Sequence, residues 1–451
     1  MQLYALSAVE AIKKIKNKDI SVRQLIDSCI KRIDVIENKV HAWVYFNKGV
    51  VYEQLKEIKS RLASGSFDGY FYGVPIGVKD IFNTKDMPAC MGSPIWKGFT
   101  PGNDARVVHN IRVEGAIVMG KTVTAEFAVH FPGITLNPYN FAYFPGSSST
   151  GSAVAVATAM VPLAIGTQTA GSIIKPASYC GVYGYKPSFG LLPRTGILKT
   201  VDPLDHVGFF ARCIDDLKLM LDALRVKGIN YPYVNDYLEN KHRQQKRKLQ
   251  PWRVAFMKTH VWDSAEEYTK DSILKFVRKL SKVKGIEVEC LELPQMFNEA
   301  HSIHATIYDR ALSYYFKEEC QRHPELISNV FKKMSKIGKK ITLKEYMDNL
   351  EKQNTLALLL DKFFKKYDII LANATAGEPP KKEDYLQEKP DTCLIWTMCR
   401  VPSIVAPKFI GPHGIPYGVQ FVARRYNDYR LLSFLKFLEK KSILSEAKIV
   451  L

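Results

Sequence analysis

The sequence lacks the cysteine and histidine patterns of a metal site or a disulfide framework. No CxxC pair occurs, so we expect reduced thiols, with Cys90 and Cys180 in the core. His301 and His304 lie one helical turn apart, but two ligands without a third predict no metal site. The eight cysteines stand at positions 29, 90, 180, 213, 290, 320, 393 and 399.

Long apolar runs, internal repeats and low-complexity tracts are also lacking. No stretch approaches the roughly 20 apolar residues that a membrane span needs, and the opening "MQLYALSAVEAIKKIKNKD" does not have the pattern of a signal peptide. Hydrophobic residues make up 46% of the chain and charged residues 24%, as in globular proteins. We therefore expect a cytoplasmic protein with one large domain and no membrane partner.

Acidic residues are scarce relative to basic ones. The chain has 64 Lys and Arg against 45 Asp and Glu, which gives a net charge of +19. Such an excess suits nucleic-acid binding, but the lysines are spread along the chain. The one dense basic run, "KHRQQKRK" at 241–248, lies in a connector rich in Pro, Asn and Gln. The sequence favours a solvated loop there. The charge alone supports contact with RNA only weakly.

The chain does contain short apolar runs that alternate with helical stretches. This alternation predicts an α/β fold in which helices are layered around a mixed, mostly buried sheet. Capping boxes at Ser7–Glu10, Ser21–Gln24 and Thr342–Glu345 predict helix starts, and "SAVAVATAM" (152–160) predicts a small-residue helix. The predicted strands are 42–46, 72–80, 115–122, 161–169, 252–256, 286–293, 368–372 and 418–422.

One domain over 1–451 is expected to have four parts. They are a helical segment at 1–68, a core at 69–230, a basic connector at 231–251, and an insertion with a return to the sheet at 252–451.

The stretch "PGSSSTGSA" (145–153) concentrates four serines and two glycines. It runs directly into an apolar helix and strand, which argues against a flexible linker. Gly146 and Gly151 have the spacing of a nucleotide-binding loop, but Ser152 stands where that loop has its lysine. The hydrolase elbow G-x-S-x-G fails as well, because Thr150 replaces its last glycine. A catalytic serine remains, and a serine needs a base within hydrogen-bond reach.

Lys79 is the candidate base. No histidine lies near the serines in sequence, whereas Lys79 closes the apolar run "GVPIGV", with Asp80 as its only charged neighbour. A lysine that is neutral at pH 7 must have a pKa about three pH units below its reference value near 10.4, or roughly 4 kcal/mol. Burial in apolar surroundings can lower the pKa by that much.

Several stretches, in order, resemble landmarks of the amidase signature family from about residue 5 to 440. The resemblance implies an amidase fold and hydrolysis of a small-molecule amide to a carboxylate and ammonia through a seryl acyl-enzyme, without metal or cofactor. The stretches are "GVPIGVKD", "GAIVMGKTVTAEFA", "NPYN", "PGSSSTGSAVAVA", "GTQTAGSIIKPASYCGVYGYKPSFG" and "GIPYGVQFV".

The resemblance also assigns roles to residues of the core. Lys79 is implied as the base, Ser148 as the bridging serine after a cis peptide bond, and Ser172 as the nucleophile. The implied oxyanion hole consists of the backbone N–H groups of 169–171, namely Thr169, Ala170 and Gly171. The pocket walls are expected from 130–143, from the helix around His301–Asp309, and from the segment near Trp396.

The chain departs from the family's GTDTGGSIR pattern at the oxyanion turn. Gln168 replaces the acid, Ala170 a glycine and Ile174 the arginine, with Lys175 one step later. Loss of both the acid and the arginine avoids an unpaired buried charge. We therefore expect uncharged side chains to support the oxyanion turn in this chain. Two alternatives stay open: the glutaminase A-subunit of an aspartyl/glutamyl-tRNA amidotransferase, which would bring nucleic acid as a partner, and a binding protein without catalysis. A homo-oligomer is left open too.

Overall fold

The computed structural model describes residues 2–65, 67–129, 133–228, 231, 234, 238 and 251–451. The predicted basic run at 241–248 lies outside the described residues, and the predicted limits of the four parts stay predictions. The three capping boxes form as predicted, each with its reciprocal pair of hydrogen bonds.

The fold is built on one mixed sheet of 11 strands, in the order β1-β3-β2-β4-β6-β5-β10-β11-β9-β7-β8. The strand pairs β2–β3, β2–β4, β7–β8 and β7–β9 are parallel, and the other neighbours are antiparallel. The strands are β1 Trp43–Phe46, β2 Pro75–Lys79, β3 Ile117–Thr122, β4 Leu163–Gln168, β5 Tyr183–Lys186, β6 His206–Ala211, β7 Trp252–Lys258, β8 Ile286–Glu292, β9 Ile369–Asn373, β10 Ser403–Ile410 and β11 Pro416–Ala423.

All eight predicted strands are present, and the predicted layered α/β fold is confirmed. Three further strands were not predicted from the sequence. Tyr183–Lys186 is short and carries a glycine, His206–Ala211 starts on a histidine, and Ser403–Ile410 contains a proline. None of these segments is a plain apolar run, and their pairing with distant strands makes them part of the sheet.

Helices pack on the sheet in groups. α5 and α6 contact each other and the central strands, while α7 contacts α1, α4, α14 and β6. The helices are α1 Ala8–Lys16, α2 Val22–Val40, α3 Lys48–Ala63, α4 Arg106–Val113, α5 Thr150–Ala157, α6 Ile174–Tyr179, α7 Ile214–Leu224, α8 Glu267–Ser281, α9 Ala300–Tyr315, α10 Lys317–Arg322, α11 Asn329–Gly338, α12 Leu343–Phe363, α13 Leu394–Met398 and α14 Asp428–Lys440. Short 3₁₀ turns lie at Leu3–Ala5, Pro94–Trp96, Glu126–Ala128, Trp262–Ser264, Gln295–Glu299, Pro324–Leu326 and Lys382–Gln387.

The core is centred on α5 and the middle of the sheet. Every residue of α5 is buried, because its small side chains let the helix lie close to the strands. A Cβ on Gly151 would lie 2.4 Å from the carbonyl oxygen of Ala42 and from the backbone nitrogen of Val123. Gly151 at the start of α5 therefore allows a close approach of this helix to the start of β1 and the end of β3.

The cysteines are free in the structure. Cys180 is buried, as predicted, but Cys90 is only half-buried. This corrects the prediction for Cys90, which lies in a loop after β2 where its N–H donates to Asp80. In the part of the chain that the structure describes, no helix has both the length and the apolar composition needed to cross a bilayer.

Candidate active site

Lys79 ends β2 with a side chain that is completely buried. Its Nζ lies 2.8 Å from Oγ of Ser148, 3.0 Å from Oγ of Ser149 and 2.9 Å from Oγ1 of Thr167. All three partners are hydroxyls, which can either donate or accept a hydrogen bond. The amine therefore has partners in its neutral form as well as in its charged form.

Burial lowers the pKa of Lys79 well below its usual value, and the Asp205 carboxylate opposes this shift. Taking an ammonium ion out of water disfavours the charged form. Asp80, the neighbour in sequence, instead forms an ion pair with Lys121. The predicted neutral amine thus fits the electrostatics of the site.

The serine loop is held against the start of α6. Gly146 has φ +117°, and a Cβ at this position would lie 2.5 Å from Cα of Pro176, so glycine is required on both counts. Ser149 donates its hydroxyl proton to the carbonyl of Thr167 (3.1 Å). Because that proton is engaged, Ser149 accepts from Lys79.

Ser172 lies beside the loop but not in the predicted arrangement. Its Oγ pairs with Oγ of Ser147 (2.8 Å) and accepts from the N–H of Ser148 (3.3 Å). Among the described residues there is no cis peptide bond, so the implied cis bond before Ser148 is corrected to trans. A trans bond is the lower-energy form before a residue other than proline. With it, Ser148 directs its N–H to Ser172 and its hydroxyl to Lys79.

The predicted oxyanion turn follows β4 directly. Its carbonyl groups are held from behind: Nε2 of His304 donates to the carbonyl of Thr169 (3.1 Å), and Oγ1 of Thr397 donates to that of Ala170 (2.6 Å). The Thr169 hydroxyl donates to Asp205 (2.7 Å). The N–H groups of Thr169, Ala170 and Gly171 donate to no acceptor in the described part of the chain.

A cavity of about 350 Å³ opens at this point. Ser147, which hydrogen-bonds to Ser172, and Ala170 of the oxyanion turn both line this cavity. The wall on α9 was predicted from the sequence, whereas the loop at 385–391 was not, because that loop has no motif of its own. The cavity is lined by Ala125, Val129, Phe144, Ser147, Ala170, Lys175, His301, His304, Ala305, Tyr385, Leu386, Glu388, Lys389, Pro390, Asp391 and Leu394.

Of the predicted wall at 130–143, residues 130–132 lie outside the described part, and the lining instead uses the flanking Val129 and Phe144. Near Trp396, the lining residue is Leu394, and Trp396 itself is fully buried. A larger cavity of about 500 Å³ touches Thr167 and Asp205. The smaller cavity includes Ser147, which hydrogen-bonds to Ser172.

Charged side chains on the cavity wall are paired. Lys175 forms an ion pair with Glu388 (2.5 Å) and lies 3.9 Å from Asp391. These carboxylates raise the pKa of Lys175 against the effect of burial. The Lys175 side chain therefore belongs to the wall of the cavity, and its backbone N–H donates to the carbonyl of Gly171 in the oxyanion turn (2.9 Å).

The two closely spaced histidines line the same cavity but have different hydrogen-bond partners. His301 contacts His260, with 2.7 Å between ring nitrogens, while His304 contacts the oxyanion turn. Within the ranges that the structure describes, His, Cys, Asp and Glu form no group of three that could hold a metal ion.

Comparison with known proteins decides the family. The profile of the Amidase family matches residues 24–432. The chain belongs to the amidase family. This family acts on amide C–N bonds, and its fold agrees with the layered sheet described above.

Curated relatives of this amidase include components of a larger enzyme. The glutamyl-tRNA(Gln) amidotransferase A-subunit of Agathobacter rectalis is 27% identical, with 100% of this chain and 96% of that protein aligned. Its counterpart in Carboxydothermus hydrogenoformans is 36% identical over 232 residues, which cover 50% of this chain and 47% of that protein.

Solved structures with a similar fold include a peptide amidase and an amidotransferase A-subunit. The peptide amidase of Stenotrophomonas maltophilia has a TM-score of 0.84 at 22% identity, with 99% of each chain covered. The glutamyl-tRNA(Gln) amidotransferase A-subunit of Thermotoga maritima has a TM-score of 0.79 at 22% identity, covering 100% of this chain and 99% of that one. At this identity the likeness concerns the fold alone.

Proposed function

We propose that this amidase hydrolyses a carboxylic amide to a carboxylate and ammonia, with Ser172 as nucleophile, Ser148 as proton carrier and Lys79 as base. The observation that carries the proposal is the Lys79 amine. It is fully buried, its contacts are three hydroxyls, and it lies one serine away from Ser172. A buried lysine that stays charged is usually paired with a carboxylate, whereas the hydrogen-bond partners of Lys79 are hydroxyls.

The hydrogen bonds around Lys79 assign donor and acceptor roles to its three hydroxyl partners. Ser149 accepts from the amine, because its own proton goes to Thr167. A neutral amine has two N–H groups and one lone pair, so one of the other two hydroxyls donates to it. When Ser148 is that donor, its O–H already points at the base, and the Ser148 oxygen can take the proton of Ser172.

The reaction follows from these contacts. Ser172 Oγ attacks the amide carbon as its proton passes through Ser148 to Lys79, and a tetrahedral intermediate forms. N–H groups of the turn at 169–171 receive the negative oxygen, and removal of one such donor typically costs about 3–4 kcal/mol. The proton returns to the leaving nitrogen and ammonia departs. Water then cleaves the acyl ester by the same route.

The proton carrier needs one movement. Among the described hydrogen bonds none joins the Ser148 and Ser172 hydroxyls, and Ser172 pairs with Ser147 instead. Catalytic hydrogen bonds often tighten only when substrate binds. We therefore propose that substrate breaks the Ser147–Ser172 pair and turns Ser172 towards Ser148.

The test compares three alanine variants in an ammonia-release assay over aliphatic, aromatic, ureido and peptide amides. Ser172→Ala should abolish turnover and labelling by a fluorophosphonate, and full activity in this variant would overturn the proposal. Ser148→Ala should lose about a thousandfold or more, since the relay is cut. Ser147→Ala should lose less than tenfold; the reverse order of these two losses would assign the relay to Ser147.

A second candidate is the glutaminase A-subunit of a tRNA amidotransferase. It is supported by the names of the relatives and by the net charge of +19. We favour the free-standing enzyme, because the chain departs from the expected turn at Gln168, Ala170, Ile174 and Lys175. Glutamine hydrolysis that requires co-purified partner proteins would reverse this preference.

A further inference from the structure

Two neutral side chains tie the oxyanion turn to the rest of the fold. Gln168 ends β4 and Thr397 lies in α13, 229 positions away in sequence, and both are completely buried. The Gln168 carboxamide donates through Nε2 to Oγ1 of Thr397 (2.9 Å). On its other side, Oε1 accepts from the N–H groups of Ile173 (2.8 Å) and Ile174 (3.0 Å).

The direction of each hydrogen bond is fixed by chemistry. Backbone N–H groups only donate, so the carboxamide oxygen faces Ile173 and Ile174, and its NH₂ group faces Thr397. Thr397 has a single proton, which goes to the carbonyl of Ala170 at 2.6 Å and not to the more distant carbonyl of Cys393 at 3.5 Å. Thr397 must therefore accept from residue 168.

These bonds clamp the segment on both sides of Ser172. The carbonyl of Ala170, two residues before Ser172, accepts from Thr397, and the N–H groups of the two residues after Ser172 donate to Gln168. Anchoring the carbonyl of Ala170 from behind fixes the plane of the following peptide. The N–H of Gly171, which belongs to that peptide, is thereby fixed as well.

We propose that Gln168 and Thr397 are positioning residues that fix the conformation of the oxyanion turn. They do so through a circuit of hydrogen bonds between uncharged groups, which runs from the N–H groups after Ser172 to Gln168, then to Thr397 and to the carbonyl of Ala170. This inference rests on the proposed function. The circuit requires residue 168 to accept on one side and donate on the other, which a carboxamide does at any pH. An ionised carboxylate accepts on both sides, so it would compete for the only proton of Thr397 and free the carbonyl of Ala170.

Gln168→Glu tests this through the pH dependence of kcat. A protonated glutamic acid can replace the carboxamide, because its O–H donates to Thr397 and its C=O accepts from the two N–H groups. The ratio of the variant's kcat to the parent's should approach one at the acid end and fall about tenfold per pH unit above the pKa of the introduced carboxyl group. A variant whose pH profile matches that of the parent overturns the proposal.

Gln54→Glu is the matched control for this substitution. Gln54 is also buried, accepts from the N–H of Val118 (3.0 Å) and donates to its carbonyl (2.9 Å). It lies away from the serines, and Arg112 at 2.8 Å from its Oε1 can pair with a carboxylate. This control should keep the pH profile of the parent. A new alkaline limb in both variants would mean a general effect of buried charge and would overturn the proposal.

Thr397→Val and Thr397→Ser form a second pair. Valine keeps the shape but leaves both the carbonyl of Ala170 and the Gln168 NH₂ group without a partner. We expect kcat to fall about 10- to 100-fold, KM to change less than threefold, and serine to restore kcat to within threefold. Parent kcat in Thr397→Val, or equal losses in Val and Ser, overturns the proposal.

Ser172→Ala separates the two ideas. If Ser172→Ala retains turnover, the proposed function fails. If Ser172→Ala is inactive while Thr397→Val has the parent's kcat, only the positioning circuit fails. Thermal unfolding of every variant checks that it is folded at the assay temperature.

Discussion

Lys79 and Lys121 are both completely buried on neighbouring parallel strands, but they have different partners. Lys121 donates to the carbonyls of Phe82 and Pro88, each at 2.9 Å, and pairs with the Asp80 carboxylate at 3.0 Å. Lys79 contacts only the hydroxyls of Ser148, Ser149 and Thr167 in the described chain. One lysine has three groups that only accept, and the other has three that can also donate.

The difference teaches that burial alone does not decide the charge of a lysine. Burial lowers the pKa of Lys121 as well, but the adjacent Asp80 carboxylate opposes that shift directly. For Lys79 the opposing charge is Asp205, which does not contact the amine. Lys121 is therefore tied to a carboxylate partner, whereas the hydroxyl partners of Lys79 suit proton transfer.

The largest expected effect is the loss of activity on replacing the base. Lys79→Met should reduce turnover about a thousandfold, as expected for removal of a general base, because the rest of the relay has no acceptor for the proton. Its free energy of unfolding should change less than that of Lys121→Met, since a neutral amine leaves no opposite charge behind. The measurements are ammonia release and urea unfolding, and turnover within tenfold of the parent would contradict the assignment.

Lys121→Met should show the reverse pattern. Removing the cation leaves Asp80 buried without its partner, which typically costs about 3–5 kcal/mol. Activity per folded molecule should stay within a few-fold, because Lys121 does not contact the serines. Urea unfolding followed by fluorescence gives the stability, and an unchanged midpoint would show that Asp80 does not depend on Lys121.

The pH profile of kcat/KM should have an acid limb that reports Lys79. As the pH falls through the lowered pKa of Lys79, the amine binds a proton, and the rate should drop about tenfold per pH unit. The free energy of unfolding should also decrease as the pH falls, because the unfolded lysine, with a pKa near 10.4, binds more protons than the folded one. This contribution to stability is present above the unfolded pKa and lost as the pH falls through the folded pKa. A kcat/KM that rises as the pH falls would contradict a neutral Lys79 as base.

The smallest effect is expected from Asp205→Asn. The Asp205 carboxylate raises the pKa of Lys79, so its neutralisation should move the acid limb to lower pH, by less than about one pH unit. Asp205 also accepts a hydrogen bond from Thr169, so the substitution can change the maximal rate as well. The comparison therefore uses only the pH at which the acid limb lies. Asp202→Asn is the control, and its limb should not move. A shift towards higher pH in Asp205→Asn would refute the electrostatic account.

Local features were predictable from the sequence. The capping boxes need only residues three apart, and the buried strands showed as apolar runs. The family resemblance named Lys79, Ser148 and Ser172, and the structure brings Lys79 next to Ser148 and Ser148 next to Ser172. The roles of these residues, like the implied oxyanion donors, stay predictions.

Contacts across the fold were not predictable in the same way. Asp80 was read as the charged neighbour of Lys79, but side chains of successive strand residues point to opposite faces. Lys121 is in register with Val78, and Asp80 lies two residues after Val78. Lys121 and Asp80 therefore lie on one face of the sheet, and the Lys79 side chain points to the other face. The Ser147–Ser172 pair and the trans peptide bond likewise depend on the backbone path of the loop.

The sequence by itself determined the helix starts, the apolar strands and the identity of the polar groups available, because these depend on neighbours a few residues away. Only the tertiary structure decided the partner of each buried polar group: hydroxyls for Lys79, a carboxylate for Lys121, and Thr397 for Gln168. The physical reason is that a buried group must find its hydrogen bonds within about 3 Å in space, and the sheet order brings those partners from distant parts of the chain.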